Sequence, residues 1–340
     1  MRKLATIQQV SEIVPIEGAT TIELAKSRGW QYVVKKGEFN IGDNGVYFEI
    51  DSFLPVHPRY EFMRKSSYKN NDFMGEGFRI KTMKFMGNLS QGLFLPMAAF
   101  SDIDLSEFTV GDDVTEMLGV RKWDMPETVT SSGTQKGSKP YGIPTTDEIR
   151  IQSAPELIEA LHGLPYIITT KMDGTSCTIY HMNGEVGVCG RNFEYKDDDK
   201  CAMWTWVHDR GLPNKLRSLG KNIAIQGEFC APGIQKNRLR LMEPELFVFD
   251  VFNLDTMQYA LPTKMQEISD KLELKLADIE ETGDSFIYTI DELLDRARGK
   301  YLSGIHKEGI VIRSQQPTKE HGTRISFKAI NNDFLLKEED

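Results

Sequence analysis

The stretch "TTKMDGTSCTIY", residues 169–180, puts a lysine between two strand-like runs and follows it two residues later with Asp-Gly. A strand excludes an unpaired lysine from its buried face, because a buried ammonium must be paired or neutralised. A lysine held at such a place is a candidate nucleophile whose pKa has been moved for use. Lys171 is therefore the residue from which the rest of the chain is read.

Upstream, "SAPELIEALHG" (153–163) reads as a helix, with Ser153 as its cap, Glu156 at the capping-box position and Gly163 at its end. From "LPYIITTK" onward the pattern is strand, turn, strand, Asn-Gly hairpin, strand. "DDDKCAMWTWVHDRG" (197–211) reads as helical, as do segments near 264–273 and 290–298. "IAIQGEFCA", "LFVFDVFNL" and "GIVIRS" read as strands. Residues 1–100 are β-rich, with short runs punctuated by Gly and Asn-Gly, as in "WQYVVKKGEFNIGDNGVYFEID". That pattern predicts a small barrel, and a barrel of the OB type is attractive because such barrels bind nucleic acid. In "RIKTMK" (79–84) a continuous strand would put Arg79 and Lys81 on one face. Between the halves, "PETVTSSGTQKGSKPYGIPTT" (126–146) has the composition of a linker or mobile loop. The expected division is thus 1–120, a linker over 121–147, and 148–340.

The 340 residues are enough for two domains, each with its own core. The net charge of −9 argues against a protein that merely coats nucleic acid, and leaves local basic patches to do any binding. Such patches occur at "MRKSSYK" (63–69), 79–84, "KLRSLGK" (215–221) and "QKNRLRL" (235–241). No apolar run reaches the roughly 18–20 residues of a membrane span, so a membrane partner is not expected. The N-terminus lacks the apolar core of a signal peptide. Cys177, Cys189, Cys201 and Cys230 form no CxxC pair, so neither a disulfide framework nor a zinc site is expected. A reducing intracellular location, cytoplasm or nucleus, fits, and a monomer is the default.

Taken singly, Lys171 and the polar residues after it have ordinary structural readings. Their order changes that. After Lys171 and Asp173-Gly174 come Arg191 in "CGRNF", Glu228 in "IQGEF", Phe249-Asp250 in "LFVFDVF", Glu308-Gly309 in "HKEGIVIR" and Lys328 in "ISFKAIN". This series resembles the covalent nucleotidyltransferases: ATP-dependent DNA and RNA ligases and mRNA capping enzymes. Three features narrow the resemblance. Ser176 stands where DNA ligases and capping enzymes usually carry arginine, only 12 residues follow Lys328, and the β-rich domain comes first. Together they resemble the Deinococcus/Naegleria type of ATP-dependent RNA ligase, over almost the whole chain. One position departs: motif V often has two lysines as K-x-K, and here Ser326 and Ile330 flank a single Lys328. Arg324 is a candidate to cover the missing charge.

The resemblance implies an α+β protein, with an N-terminal OB-like barrel followed by an adenylation domain of antiparallel sheets and helices. It implies ATP as cofactor, AMP attached to Lys171, and Mg²⁺ or Mn²⁺ held by Asp173, Glu228 and Glu308. Thr170, Asp173, Gly174, Arg191, Glu228, Phe249, Glu308, Lys328 and Arg150 would bind the nucleotide, with Phe249 stacked on the purine. Arg79, Lys81 and Lys84 would hold the nucleic acid, an RNA or RNA-containing duplex with a nick between a 3′-OH and a 5′-phosphate. A DNA ligase, a GTP-using capping enzyme and a non-catalytic OB-type binding protein are the alternatives.

Overall fold

The computed structural model describes residues 2–124, 134–317 and 324–338. The chain divides into two compact units, residues 1–128 with 335–340, and residues 129–334.

In the first unit every sheet is antiparallel and short. Asn44–Phe48 runs between Ala5–Gln9 and Leu93–Pro96, and a second sheet has the order Arg121–Lys122, Ser52–Leu54, Gly75–Arg79, Tyr68–Asn71. Ile7, Val46, Phe48, Leu54, Phe78 and Val114 close the core between them. The strand-like run beginning at Trp30 pairs with Ile22–Ser27 in a separate three-stranded meander. The shared face expected for Arg79 and Lys81 does not form. The strand ends at Arg79, and Ile80 makes its last backbone bonds to Ser52 and Asp51. Lys81 lies beyond the strand, and Lys84 sits on a separate hairpin, Thr82–Phe85 with Asn88–Gln91.

The second unit is built on two sheets that are antiparallel apart from the short strand Lys275–Leu276, which runs parallel to its neighbour Glu245–Asn253. One has Tyr166–Lys171 between Ile279–Gly283 and Gly309–Ser314, with Ser326–Ile330 outside the latter. The other is centred on Thr175–Met182, Ile223–Cys230 and Glu245–Asn253. Ile168, Ile310, Ile312, Phe286 and Phe327 fill the first core, and Ile179, Trp206, Ile225, Phe229 and Val248 the second. The predicted helices appear as Ala202–Asp209, Pro262–Leu272 and Ile290–Ala297. The cap expected at Ser153 does not form. The helix begins at Glu156 with Pro155 at its cap position, while Ser153 ends a 3₁₀ turn.

Of the expected linker, residues 125–133 lie outside the described residues. Gln135–Ser138 is a strand, paired with Phe193–Tyr195 at the edge of the larger sheet. Its polar composition hides it, because an edge strand pairs through its backbone and needs no apolar alternation. All four cysteines are buried and free, and burial pushes the thiols of Cys177, Cys189 and Cys230 up, Cys189 to about 12.

Candidate active site

Strand register brings the lysine to its partner. Lys171 pairs with Gly309, so the preceding Glu308 stands beside it, and Lys171 Nζ lies 2.7 Å from Glu308 Oε2. On the neighbouring sheet Ser176 pairs with Glu228, whose carboxylate accepts the Gly174 N–H at 3.2 Å. The turn between them has a steric reason for its glycine: a Cβ at Gly174 would sit 2.5 Å from the Phe229 carbonyl oxygen. Phe249 is the extra residue of a β-bulge, since Gln226 pairs with Asp250 and Gly227 with Val248. A bulge re-aims a side chain, and the half-buried Phe249 ring is turned to a cavity, with the Arg313 guanidinium 5.5 Å from its centroid.

That cavity, about 260 Å³, is lined by Lys171, Gly174, Arg191, Glu228, Phe249 and Lys328, together with Thr170. Thr170 gives its hydroxyl to Glu280, which also holds Lys307. Arg191 is at an exposed edge, 2.7 Å from Asp147. Arg150 is bridged along the backbone to Lys328. Asp173 is buried against Arg238 in an ion pair. Arg79, Lys81 and Lys84 belong to the first unit.

The electrostatics of the cavity are unbalanced. Burial works to lower the pKa of Lys171, but Glu308, Glu228 and Asp173 outweigh it and hold the ammonium above its ordinary value. Burial pushes Glu228 up to about 7, Lys171 opposing and Glu308 adding to the rise. Burial, Lys171 and Arg150 together pull Lys328 down to about 8. Lys328 has no carboxylate partner within 4.0 Å among the described residues. Two cations at the end of one cavity, one of them unpaired and destabilised, leave room for an anion. Arg324 does not cover the missing motif V charge: both its terminal nitrogens are bound by Asp250, and the Ser326 hydroxyl goes to Glu148. Arg150 is the second cation whose charge reaches Lys328.

A proton-linked stability follows for Glu228. A carboxyl whose folded pKa exceeds its unfolded value favours folding below the unfolded value, and that benefit is lost as pH rises through the folded one. Glu228→Gln therefore stabilises the nucleotide-free protein at pH 8, by on the order of 2 kcal/mol, and the gain vanishes below about 4.5, the ordinary carboxyl value. Denaturant unfolding at pH 8 and pH 4 checks this, and an equal gain at both would refute it.

Three site residues carried no sequence signal for their roles. Arg238 sits in "QKNRLRL", a run that reads as an exposed patch, yet it is 6% exposed and lies 4.3 Å from the Phe334 ring centroid. Asp147 falls in the linker-like stretch. Tyr301 donates its hydroxyl to the Lys171 carbonyl at 2.7 Å and accepts the Glu308 N–H at 3.0 Å. It fastens nucleophile and glutamate together across 130 residues. Tyr301→Phe leaves both backbone groups buried and unpaired, a cost of about 1–3 kcal/mol. The reaction at Lys171 should slow about tenfold with the substrate KM nearly unchanged; a pure KM effect would point to a different role.

Comparison with known proteins agrees with this geometry. A family model for an OB-fold domain matches residues 4–97, and one for RNA ligase matches residues 164–330. Among solved structures the chain is similar to Naegleria gruberi RNA ligase with PPi, at 37% identity over 100% of both chains and a TM-score of 0.80. It is similar to a lysine-to-alanine variant of that ligase with ATP and Mn, at 37% identity over 99% of both chains and a TM-score of 0.82. A glutamate-to-alanine variant with AMP and Mn gives 37%, 99% of both and 0.82. No curated protein matches.

Proposed function

This chain belongs to the RNA ligase family, within the covalent nucleotidyltransferases, and on that footing we propose the roles of its residues and its preferred substrate. The protein is an ATP-dependent RNA ligase that works through adenylylation. The observation that carries the assignment of roles is the half-buried Lys171–Glu308 pair beside the unpaired Lys328.

Lys171 Nζ attacks the α-phosphorus of ATP. An N–P bond forms, the P–O bond to pyrophosphate breaks, and the lysine carries AMP as a phosphoramidate. The attacking amine must first lose its proton, and Glu308 Oε2 is the acceptor within hydrogen-bond reach. Lys328 regains its full charge against the phosphates and offsets the negative charge that grows on them. Phe249 stacks on the base, Arg191 and Thr170 line the sugar and phosphate side, and Arg150 acts from beside Lys328. AMP then passes to a 5′-phosphate, forming a 5′–5′ pyrophosphate. Attack by a 3′-OH closes the strand and releases AMP.

Glu228 and Glu308 are hard oxygen donors whose charges act on each other, which suits Mg²⁺ or Mn²⁺ that keeps several of its waters. Such an ion would supply positive charge against the triphosphate. Asp173, tied to Arg238, is better suited to acting at second hand, by fixing the turn. Among the described residues no three His, Cys, Asp or Glu side chains gather as a closed metal cage.

The preferred substrate in this reading is a nick in duplex RNA. The first unit holds the duplex, with Arg79 among its phosphate contacts, and the second unit, which includes Gln135–Ser138 and Asp147, carries the chemistry. The enzyme works as a monomer inside the cell. Among the described residues no helix is long and apolar enough to cross a membrane.

Incubation with α-labelled ATP or GTP and Mg²⁺, followed by a denaturing gel, tests the assignment. Acid-labile, base-stable label from ATP alone is the expected result. Label from GTP alone would indicate a capping-type enzyme, and no label from either would leave a binding protein.

A further inference from the structure

The outer face of the four-stranded sheet in the first unit has an unusual construction. Leu54 and Phe78 point into the core, so their neighbours Phe53 and Arg79 point away from it. An outward phenylalanine is ordinarily wet, yet Phe53 is 1% exposed. Its ring lies over Gly77, where a Cβ would sit 2.7 Å from Phe53 Cζ. Its other neighbours are Trp123, with centroids 5.2 Å apart, and the Arg121 guanidinium, 5.4 Å from its ring centroid. Arg79 in turn lies 5.0 Å from the Trp123 ring centroid.

The strand register explains the alignment. Arg121, Phe53 and Arg79 occupy one row across three strands. Lys69, opposite Gly77 on the fourth strand, adds an exposed ammonium to the same face. Arg121 donates one nitrogen to the Met74 carbonyl at 2.5 Å, which fixes its plane while other N–H groups stay available. Asp51, 3.6 Å from Arg79, offsets part of the charge. On a chain of net charge −9 this is a local concentration of cations, two of them standing over aromatic rings. A guanidinium held over a ring gives up less freedom when it binds, and its edge matches a phosphate two nitrogens at a time.

We propose that this face, Lys69, Arg79, Arg121 and Trp123 over Phe53, is a docking surface for the phosphate backbone of an RNA duplex. The choice of RNA rests on the RNA ligase reading. The surface reads charge and shape rather than sequence, as an enzyme that joins any ends requires. It replaces a row along a single strand with a row across strands.

The test uses the full chain and a nicked RNA duplex bearing a 5′-phosphate. Affinity is measured across a salt series for the wild type, Lys69→Gln, Arg121→Gln and the double variant, with self-adenylylation followed in parallel. Each single change should weaken binding several-fold and flatten the slope of log K against log salt by roughly 0.7–0.9, and the double change by about twice that. Arg121→Lys should keep the slope but bind less tightly than wild type. Self-adenylylation should not change. Wild-type affinity and slope in the double variant would overturn the proposal, as would lost affinity at an unchanged slope. Lys69 is exposed and outside the stack, so its variant keeps the fold and tests the face even if Arg121→Gln does not. A wild type that binds RNA but takes no AMP would overturn the ligase roles and leave the surface standing.

Discussion

Lys171→Ala should take no label from ATP, a loss on the order of the 10⁶-fold seen when an enzyme loses its nucleophile. The reason is stoichiometric. The N–P bond needs a nitrogen at that place, and Glu308, the residue in contact with it, offers only oxygen. Removing the lysine leaves Glu308 without its partner, which costs stability, so the fold of the variant is checked by circular dichroism before the label is read. The informative part is what survives. Given an RNA nick whose 5′ end already carries AMP, the variant should seal it, since strand closure does not use the lysine. Label retained at a wild-type rate would end the assignment. Loss of both activities in a folded protein would give Lys171 a wider role than nucleophile.

Lys328→Ala should slow lysine adenylylation by about 10²–10³-fold, the usual effect of removing one preorganised charge from a phosphoryl transition state. Lys328 is the only lysine of its motif, and Arg324, the nearest candidate replacement in sequence, is held by Asp250. Arg150 is what remains to supply a second cation. The pH profile separates charge from bulk. Lys328 is drawn down to about 8, so in the free enzyme its charge is lost as pH rises through that value. Wild-type ATP affinity should therefore weaken above about pH 8, and that inflection should be absent from Lys328→Ala. A variant that adenylylates within a few-fold of wild type would show that the single lysine is dispensable.

Much of the site could be read in the sequence because its residues sit at strand ends, and strand ends are punctuated. Lys171, Glu228 and Glu308 each precede or follow a glycine turn or a strong β-run. What could not be read was register. Nothing in the linear order says that Lys171 faces Gly309, or that a bulge frees Phe249 from its ladder. Arg238 and Tyr301 were hidden for a related reason. Their meaning lies in contacts across 65 and 130 residues, and a basic run or a lone tyrosine has no local pattern to declare them. The fold was legible at the level of strands and helices. The polar edge strand Gln135–Ser138 was not, because backbone pairing leaves no mark on side-chain composition.

The four buried thiols have a consequence for the chemistry this enzyme can survive. Oxidants and alkylating agents react with the thiolate. With Cys177, Cys189 and Cys230 held in the protonated form and none of the four cysteines exposed, peroxide finds no ready thiol beside the nucleotide cavity. The catalytic group is an amine, which peroxide does not consume as it does a cysteine. A ligase built this way keeps joining strands under conditions that would silence an enzyme with a catalytic thiol.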